Sequence, residues 1–222
     1  MATKRPLHGL TTKQQEALGK IRQAILHHRN AIMNGTLVSI DPSAVSRTGS
    51  KPAYAIYVRG EFVEQGILDV QFKPQLYLRL QMLRKLITDS LAPHVDIVII
   101  EETPHVPIRT MAGARAGGKC YMNPASIASL KKACGAIISG FNVGTPVIEM
   151  PANLWQKMCH NAGIVITKAD PDDARLIGWA AITLLCEINH TIDGVNHGDG
   201  KTKTEDKGKA QTGTTIATNP IT

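Results

Sequence analysis

Two short apolar runs that each end in acidic residues are the clearest feature of the hydrophobic pattern. The first, Thr36 to Asp41, is rich in strand formers and ends in an aspartate. The second, Val95 to Ile100, is more apolar still and is followed by Glu101 and Glu102. Short apolar runs are typical of buried strands, and apolar character on both faces is typical of central, parallel strands. The sequence therefore predicts two central parallel strands with carboxylates at their ends.

Three further runs predict the rest of a mixed sheet. Ala53 to Val58 and Glu61 to Leu68 flank the dipeptide Arg59-Gly60, as in a β-hairpin. Together with the first apolar run they predict three sequential antiparallel strands. A short last strand is expected from Thr145 to Met150.

Helical periodicity predicts four helices, and a piece around Trp155 and Lys157 is expected to be irregular or briefly helical. The helices are expected at Thr12 to about Asn34, Gln75 to Leu91, Asn123 to Phe141 and Asp170 to about His190. A capping box from Thr12 to Gln15 opens the first, and Asp170 is expected to cap the last. The residues predicted to face the core are Leu18, Ile21, Ile25 and Ile32, then Tyr77, Leu80, Leu83 and Ile87, then Ile127, Leu130, Cys134, Ile137 and Ile138, then Ile177, Ala181, Leu184, Leu185 and Ile188.

These elements define an α/β fold in one domain with appendages. Residues 1–34 form a basic N-terminal extension, residues 35–193 the globular domain, and residues 194–222 a low-complexity tail. The tail has almost no large apolar residue, so we expect it to be disordered. The basic helix of the extension has two interpretations, a solvated outer face on a docked helix or a surface that binds nucleic acid.

Composition narrows the kind of partner. The 222 residues carry a net charge of +7 and a pI near 9.3, which favours an anionic partner, with nucleic acid ahead of membrane, although solubility alone is an alternative. The four cysteines show no zinc-type spacing and are expected to be reduced, mostly buried thiols of an intracellular protein. No apolar run reaches the roughly 18 residues of a membrane span. We expect a cytoplasmic protein.

A long loop from Thr103 to Tyr121 leaves directly from the second acidic strand end. Loops of this length without structure of their own are usually functional or disordered. Its glycines permit a close approach to a nucleic-acid backbone. The side chains that we expect to contact DNA there are His105, Arg109, Arg115, Lys119 and Tyr121.

The acids form the candidate site. Each has a structural interpretation, since Asp41 can start a turn, Glu101 can be a solvated strand end, and Asp170 with Asp173 can cap a helix. Adjacent parallel strands, however, would bring Asp41 and Glu101 side by side, and like charges so placed need a cation to offset them. Hard oxygen ligands suit Mg²⁺ or Mn²⁺.

The order of elements resembles the ribonuclease H-like fold, and the motifs resemble those of RuvC-type Holliday junction resolvases. Ser39-Ile-Asp41-Pro-Ser43 is similar to their first-strand motif, and Val98-Ile-Ile-Glu101-Glu102 to their second acidic strand. Asn123-Pro-Ala-Ser126 and Thr145-Pro-Val-Ile-Glu149 resemble the segments that follow there. Asp170-x-x-Asp173-Ala174 matches the last acidic helix. The resemblance covers about Leu37 to Asn189.

The resemblance implies a nuclease. Asp41, Glu101, Asp170 and Asp173 would be the catalytic tetrad and would bind two Mg²⁺ or Mn²⁺ ions for phosphodiester hydrolysis in branched, four-way DNA. Glu102 is the less favoured alternative to Glu101, because successive strand residues point to opposite faces. A homodimer and a bacterial or viral origin are implied as well. Two alternatives remain, another ribonuclease H-like nuclease that acts on flaps or RNA–DNA hybrids, and a non-catalytic DNA-binding relative.

Overall fold

The chain is an α/β protein in which a five-stranded mixed sheet is flanked by helices. The computed structural model describes residues 7, 9–43, 51–70, 75–103, 124–167 and 170–196, without the side chains of residues 170 and 191–196. The strands are β1 (Thr36–Asp41), β2 (Ala53–Val58), β3 (Glu61–Ile67), β4 (Ile97–Glu101) and β5 (Val147–Met150). The helices are α1 (Thr12–His27), α2 (Arg29–Asn34), α3 (Leu76–Leu86), α4 (Pro124–Ile138), α5 (Ala152–Ala162) and α6 (Asp170–Asn196).

The sheet has the predicted arrangement, with the strand order β3-β2-β1-β4-β5. The first three strands in sequence are antiparallel neighbours, whereas β4 lies parallel to β1 and β5 parallel to β4. Arg59 and Gly60 form the hairpin turn with φ of 54° and 79°. Positive φ at both central residues suits the right-handed twist of the strands that they join. The predictions for these strands are confirmed, with ends that differ by one or two residues.

Alternation along the central strands divides the core into two layers. Leu37, Ile97 and Ile99 face a cluster that is completed by α1, α2, α5 and α6. Val38 and Ile100 face the opposite cluster, which α3 and α4 complete. Because successive strand residues point to opposite faces, the odd-numbered residues of β1 and β4 all lie under α6.

The first helix begins at Thr12, as predicted, but its N-cap is one residue earlier than predicted and the helix is interrupted. Thr11, not Thr12, is the N-cap, and it makes the reciprocal capping box with Gln14. Two overlapping Thr-x-x-Gln sequences fit the motif, so the sequence does not discriminate between them. The chain leaves helical geometry at His28, where φ is −103° and ψ is 20°, and α2 follows. The predicted buried stripe of Leu18, Ile21, Ile25 and Ile32 is confirmed.

Two predicted core positions are wrong. Tyr77 is 60% exposed and Ile138 is 36% exposed. The buried stripe of the second predicted helix is Arg79, Leu83, Ile87 and Leu91, at a spacing of four residues, so an aromatic two positions away from Arg79 faces solvent. Regular α-helix ends at Leu86, and the chain continues through a π-helical turn at Ile87–Leu91 and a 3₁₀ turn at Ala92–His94.

The C-terminal half contains more helix than predicted. Trp155 and Lys157 belong to α5, a regular helix of 11 residues, rather than to an irregular piece. The third predicted helix ends at Ile138 instead of Phe141. The last helix runs to Asn196, beyond the predicted end near His190, so it includes the first residues of the predicted tail. Residues 197–222 and most of the loop at 103–121 lie outside the described residues.

Candidate functional site

Asp41 and Glu101 lie side by side at one edge of the sheet. Strands β1 and β4 are parallel with Ile40 opposite Ile100, so the next residue of each strand is an acid at the same level. Both acids are on the face that α6 covers, because they have the same parity as Ser39 and Ile99. The predicted juxtaposition of two carboxylates at adjacent strand ends is therefore present.

Three close contacts hold the beginning of α6 against this face. The buried Ser39 hydroxyl donates to the carbonyl oxygen of Ala174 at 2.7 Å. The Tyr57 hydroxyl donates to the carbonyl oxygen of Arg175. Gly178 lies so close to β1 and β2 that a Cβ there would be 2.7 Å from Ser39 Oγ. These contacts place Asp173, which directly precedes Ala174, over the end of β1.

The electrostatics of Glu101 show that Asp173 is near it. Burial raises the pKa of Glu101, a hydrogen bond from Trp155 opposes that rise, and the negative charge of Asp173 adds to it. The indole Nε1 of Trp155 donates to Oε2 of Glu101 at 2.9 Å. Oδ1 of Asp173 is itself a buried atom. Glu101 of β4 and Asp173 of α6 are thus neighbours in partly buried surroundings, and Asp41 ends the strand beside Glu101.

Two buried cysteines in the described part of the chain are influenced by the negative charge of these acids. Burial raises the pKa of Cys134 to about 12, with further contributions from the charges of Glu149, Glu101 and Asp41. Burial also raises the pKa of Cys159 to about 11, and the charge of Asp173 adds to it. Both thiols are free, as predicted. They are poor nucleophiles here because the thiolate is strongly disfavoured.

Asp172 anchors the first turn of α6 from outside the acidic cluster. Its Oδ1 accepts from Gln65 Nε2 at 3.1 Å, and its Oδ2 accepts from Thr167 Oγ1 at 2.6 Å. These hydrogen bonds lower the pKa of Asp172, and the bond from Thr167 has the larger effect. The acid therefore connects the helix to β3 and to the segment before the helix.

Glu102 faces a different environment from Glu101. It lines a cleft between α1 and the ends of β4 and β5, together with Lys13, Lys20 and Glu149. The side chain of Glu101 instead contacts Trp155 on the face that α6 covers. Of the two adjacent glutamates, Glu101 is thus the one that lies with Asp173.

The structure leaves part of the predicted site outside its description. Asp170 is the first residue of α6, but its side chain is not among those described. The predicted DNA contacts fall in the same category, namely His105, Arg109, Arg115, Lys119 and Tyr121.

The donor set suits a hard divalent cation in its chemistry. Carboxylate oxygens are the ligands that Mg²⁺ and Mn²⁺ prefer, and clustered like charges are stabilised by a cation. Among the side chains that the structure describes, no three His, Cys, Asp or Glu residues are grouped in an arrangement that would hold a metal ion. Asp170, one helical turn before Asp173, belongs to the predicted ligand set but not to those side chains.

Two side-chain hydrogen bonds around the candidate site were missed by reasoning from sequence. The Trp155 indole reaches Glu101 across 54 positions of sequence, and the Asp172 carboxylate reaches Gln65 across 107. No periodicity connects residues so far apart. The local indication that Trp155 lies near Glu101 was its place in the segment that follows β5, the neighbour of the strand that carries Glu101.

No protein-family model matches the sequence, and no curated protein matches it. Within the described part of the chain, none of the helices has the length and apolar character that crossing a bilayer requires.

Proposed function

We propose that the protein is a metal-dependent endonuclease of the ribonuclease H-like type that cleaves phosphodiester bonds in branched DNA. The observation that carries the proposal is the position of Asp41 and Glu101 at the ends of adjacent parallel strands, with Asp173 near Glu101. Two of these acids end adjacent parallel strands, and the third is in the first turn of the helix packed across them. This arrangement agrees with the resemblance to RuvC-type resolvases.

In this proposal the acids hold the cations. Asp41, Glu101, Asp170 and Asp173 would bind two Mg²⁺ or Mn²⁺ ions, which supply Lewis acidity and an activated water when bound. The chain contributes orientation, because each described acid is on a strand end or in a helix whose position is fixed by buried contacts. Burial raises the pKa of Glu101, and the repulsion from Asp173, which a cation would offset, adds to that rise.

A polyanionic substrate is supported by the charge of the chain. The net charge is +7 although the candidate site is acidic, so the rest of the chain carries an excess of basic residues. The loop that follows Glu101 carries Arg109 and Arg115 and begins at the site. Phosphate contacts from such residues provide affinity that depends on salt but not on base sequence.

We further propose that the protein acts as a homodimer, since two symmetric nicks across a four-way junction require two active sites. Sedimentation velocity should show a dimer at micromolar concentration. A monomer that still makes paired cuts in one junction would contradict this assembly.

A cleavage assay tests the chemistry. Labelled four-way junctions, flaps and RNA–DNA hybrids are incubated with and without Mn²⁺, and the products are resolved on denaturing gels. Asp41→Asn should abolish cleavage while DNA binding persists, because it removes a charged ligand with little change in shape. Asp89→Asn is the matched control, since Asp89 is an exposed acid that pairs with Lys85, outside the candidate site.

The pattern of products separates the alternatives. Paired cuts in four-way junctions support a resolvase, whereas cleavage of flaps or hybrids alone supports another ribonuclease H-like nuclease. Binding of branched DNA without any metal-dependent cleavage supports a non-catalytic relative. Undiminished cutting by Asp41→Asn would remove the acids from the mechanism.

A further inference from the structure

The only polar atom of the Trp155 side chain, the indole nitrogen, donates a hydrogen bond to a candidate catalytic acid. The indole is only 1% exposed, and its Nε1 donates to Glu101 Oε2 at 2.9 Å. A buried indole N–H requires an acceptor, and a backbone carbonyl oxygen would serve equally well. Here the acceptor is a carboxylate on the neighbouring strand. The bond consequently fixes one oxygen of Glu101 and the rotation of its carboxylate.

The backbone around Trp155 explains why the indole reaches that acid. Met150, the last residue of β5, lies opposite Glu101 in the parallel pair of strands. Pro151 follows as the N-cap of α5, and Trp155 donates its backbone N–H to the Pro151 carbonyl oxygen at 3.3 Å. The first turn of α5 therefore starts beside Glu101 and returns over the same face of the sheet.

The N-terminal helix supports this turn. Gln14, the capping-box residue of α1, donates from its Nε2 to the carbonyl oxygen of Asn153 at 3.0 Å. Leu154 and Trp155 both belong to the buried cluster that α1 and α6 complete. The indole is thus held by packing on several sides, and its N–H has a fixed direction.

From this geometry we infer that Trp155 is a positioning residue, which holds the Glu101 carboxylate in the orientation in which it would bind a divalent cation. The inference rests on the proposed function and deepens it. One oxygen of Glu101 accepts from the buried indole, so the rotation of the carboxylate is fixed and its other oxygen has a set direction. Removing the N–H frees the carboxylate to rotate and so weakens cation binding.

The test removes the N–H and keeps the shape. Trp155 is replaced in the full chain by 3-benzothienylalanine, in which sulfur takes the place of the indole N–H, and Trp155→Phe serves as a second variant. Mn²⁺ affinity measured by calorimetry should fall roughly tenfold, as expected for the loss of one hydrogen bond to a charged group. In cleavage, kcat should fall while KM for DNA stays unchanged.

Trp179→Phe is the matched control, because Trp179 is a partly buried tryptophan of α6 packed against the same cluster. It should keep the Mn²⁺ affinity of the unmodified protein. The chain has two tryptophans, so this variant leaves Trp155 as the single fluorophore. Its emission should be quenched by Mn²⁺ with the dissociation constant found by calorimetry.

The outcomes separate this inference from the proposed function. If the unmodified protein binds Mn²⁺ and the benzothienyl protein binds it equally well, the hydrogen bond does not position Glu101 and the inference is overturned. If the unmodified protein binds no Mn²⁺, the proposed function and the inference both fail. A thermal midpoint that changes alike in Trp155→Phe and Trp179→Phe, with affinity lost only in the former, supports the positioning role.

Discussion

Replacing Gly178 by alanine should move the helix that carries Asp173 slightly away from the sheet. A Cβ at this position would lie 2.7 Å from Ser39 Oγ and would also collide with the Tyr57 ring. Ordinary van der Waals contact begins at about 3.4 Å, so clearing Ser39 Oγ alone requires a shift of about 0.7 Å, and clearing the Tyr57 ring, which the Cβ would approach more closely still, requires a larger one. The Tyr57 ring cannot easily yield, because it is buried and its hydroxyl is bonded to the carbonyl oxygen of Arg175.

The magnitude follows from two opposing effects. Overpacking a well-packed core costs about 1–3 kcal/mol. Alanine in a helix interior recovers up to about 1 kcal/mol relative to glycine. We therefore expect the free energy of unfolding of Gly178→Ala to fall by about 1 kcal/mol. A displacement of the order of 1 Å at a catalytic group costs up to roughly 100-fold in rate, so cleavage should fall by on the order of tenfold or more.

Gly135→Ala is the matched control. Gly135 is in α4, and a Cβ there would meet nothing within 4 Å, so this variant has only the gain in helix propensity. The two variants should differ by about 2 kcal/mol, which corresponds to about 4–8 °C in the thermal midpoint of a protein of this size. Calorimetric scans and the Mn²⁺-dependent cleavage assay measure both effects. Equal stability and equal activity in the two variants would refute the close packing of α6 on β1.

Two further predictions concern pH and the basic loop. The folded-state pKa of Glu101 lies above its ordinary value of 4.5, so in metal-free protein this residue stabilises the fold at low pH. That contribution is lost as pH rises through the raised pKa. Glu101→Gln should remove this part of the pH dependence of the free energy of unfolding in urea titrations. An unchanged pH profile would contradict the burial of the acid. Replacing Arg109 and Arg115 by alanine should weaken binding to branched DNA and reduce its salt slope by roughly two units, with Mn²⁺ affinity intact; wild-type affinity and slope would place the DNA elsewhere.

The sheet was predictable because its signals are local. A short apolar run such as Val95 to Ile100 is typical of a buried strand, and Arg59-Gly60 has the residues that a tight hairpin turn needs. The convergence of Asp41 and Glu101 followed from one further step, since neighbouring parallel strands end at the same edge. Both predictions required only chain direction and alternation.

The features that were missed depend on packing between distant parts of the chain. Tyr77 was placed in the core because it has helical spacing to Leu80 and Leu83, but the buried stripe of its helix runs through Arg79 and Leu83. The full length of helix α5 was not predicted because its residues follow Pro151 in a short segment, where an irregular or briefly helical connection fits the pattern equally well. The π-helical turn after Leu86 has no sequence signal such as glycine or proline within it.

The three described acids belong to elements that are fixed by different contacts, which makes the site sensitive to each of them. Asp41 is held by pairing of β1 on both sides, Glu101 by β4 and the indole of Trp155, and Asp173 by the contacts of Ser39 with α6. Like charges converge only where the surrounding structure imposes it, because each pair would otherwise separate. The contacts at Trp155 and Ser39 therefore maintain an arrangement that the carboxylates alone would oppose, and a bound cation would turn this repulsion into attraction.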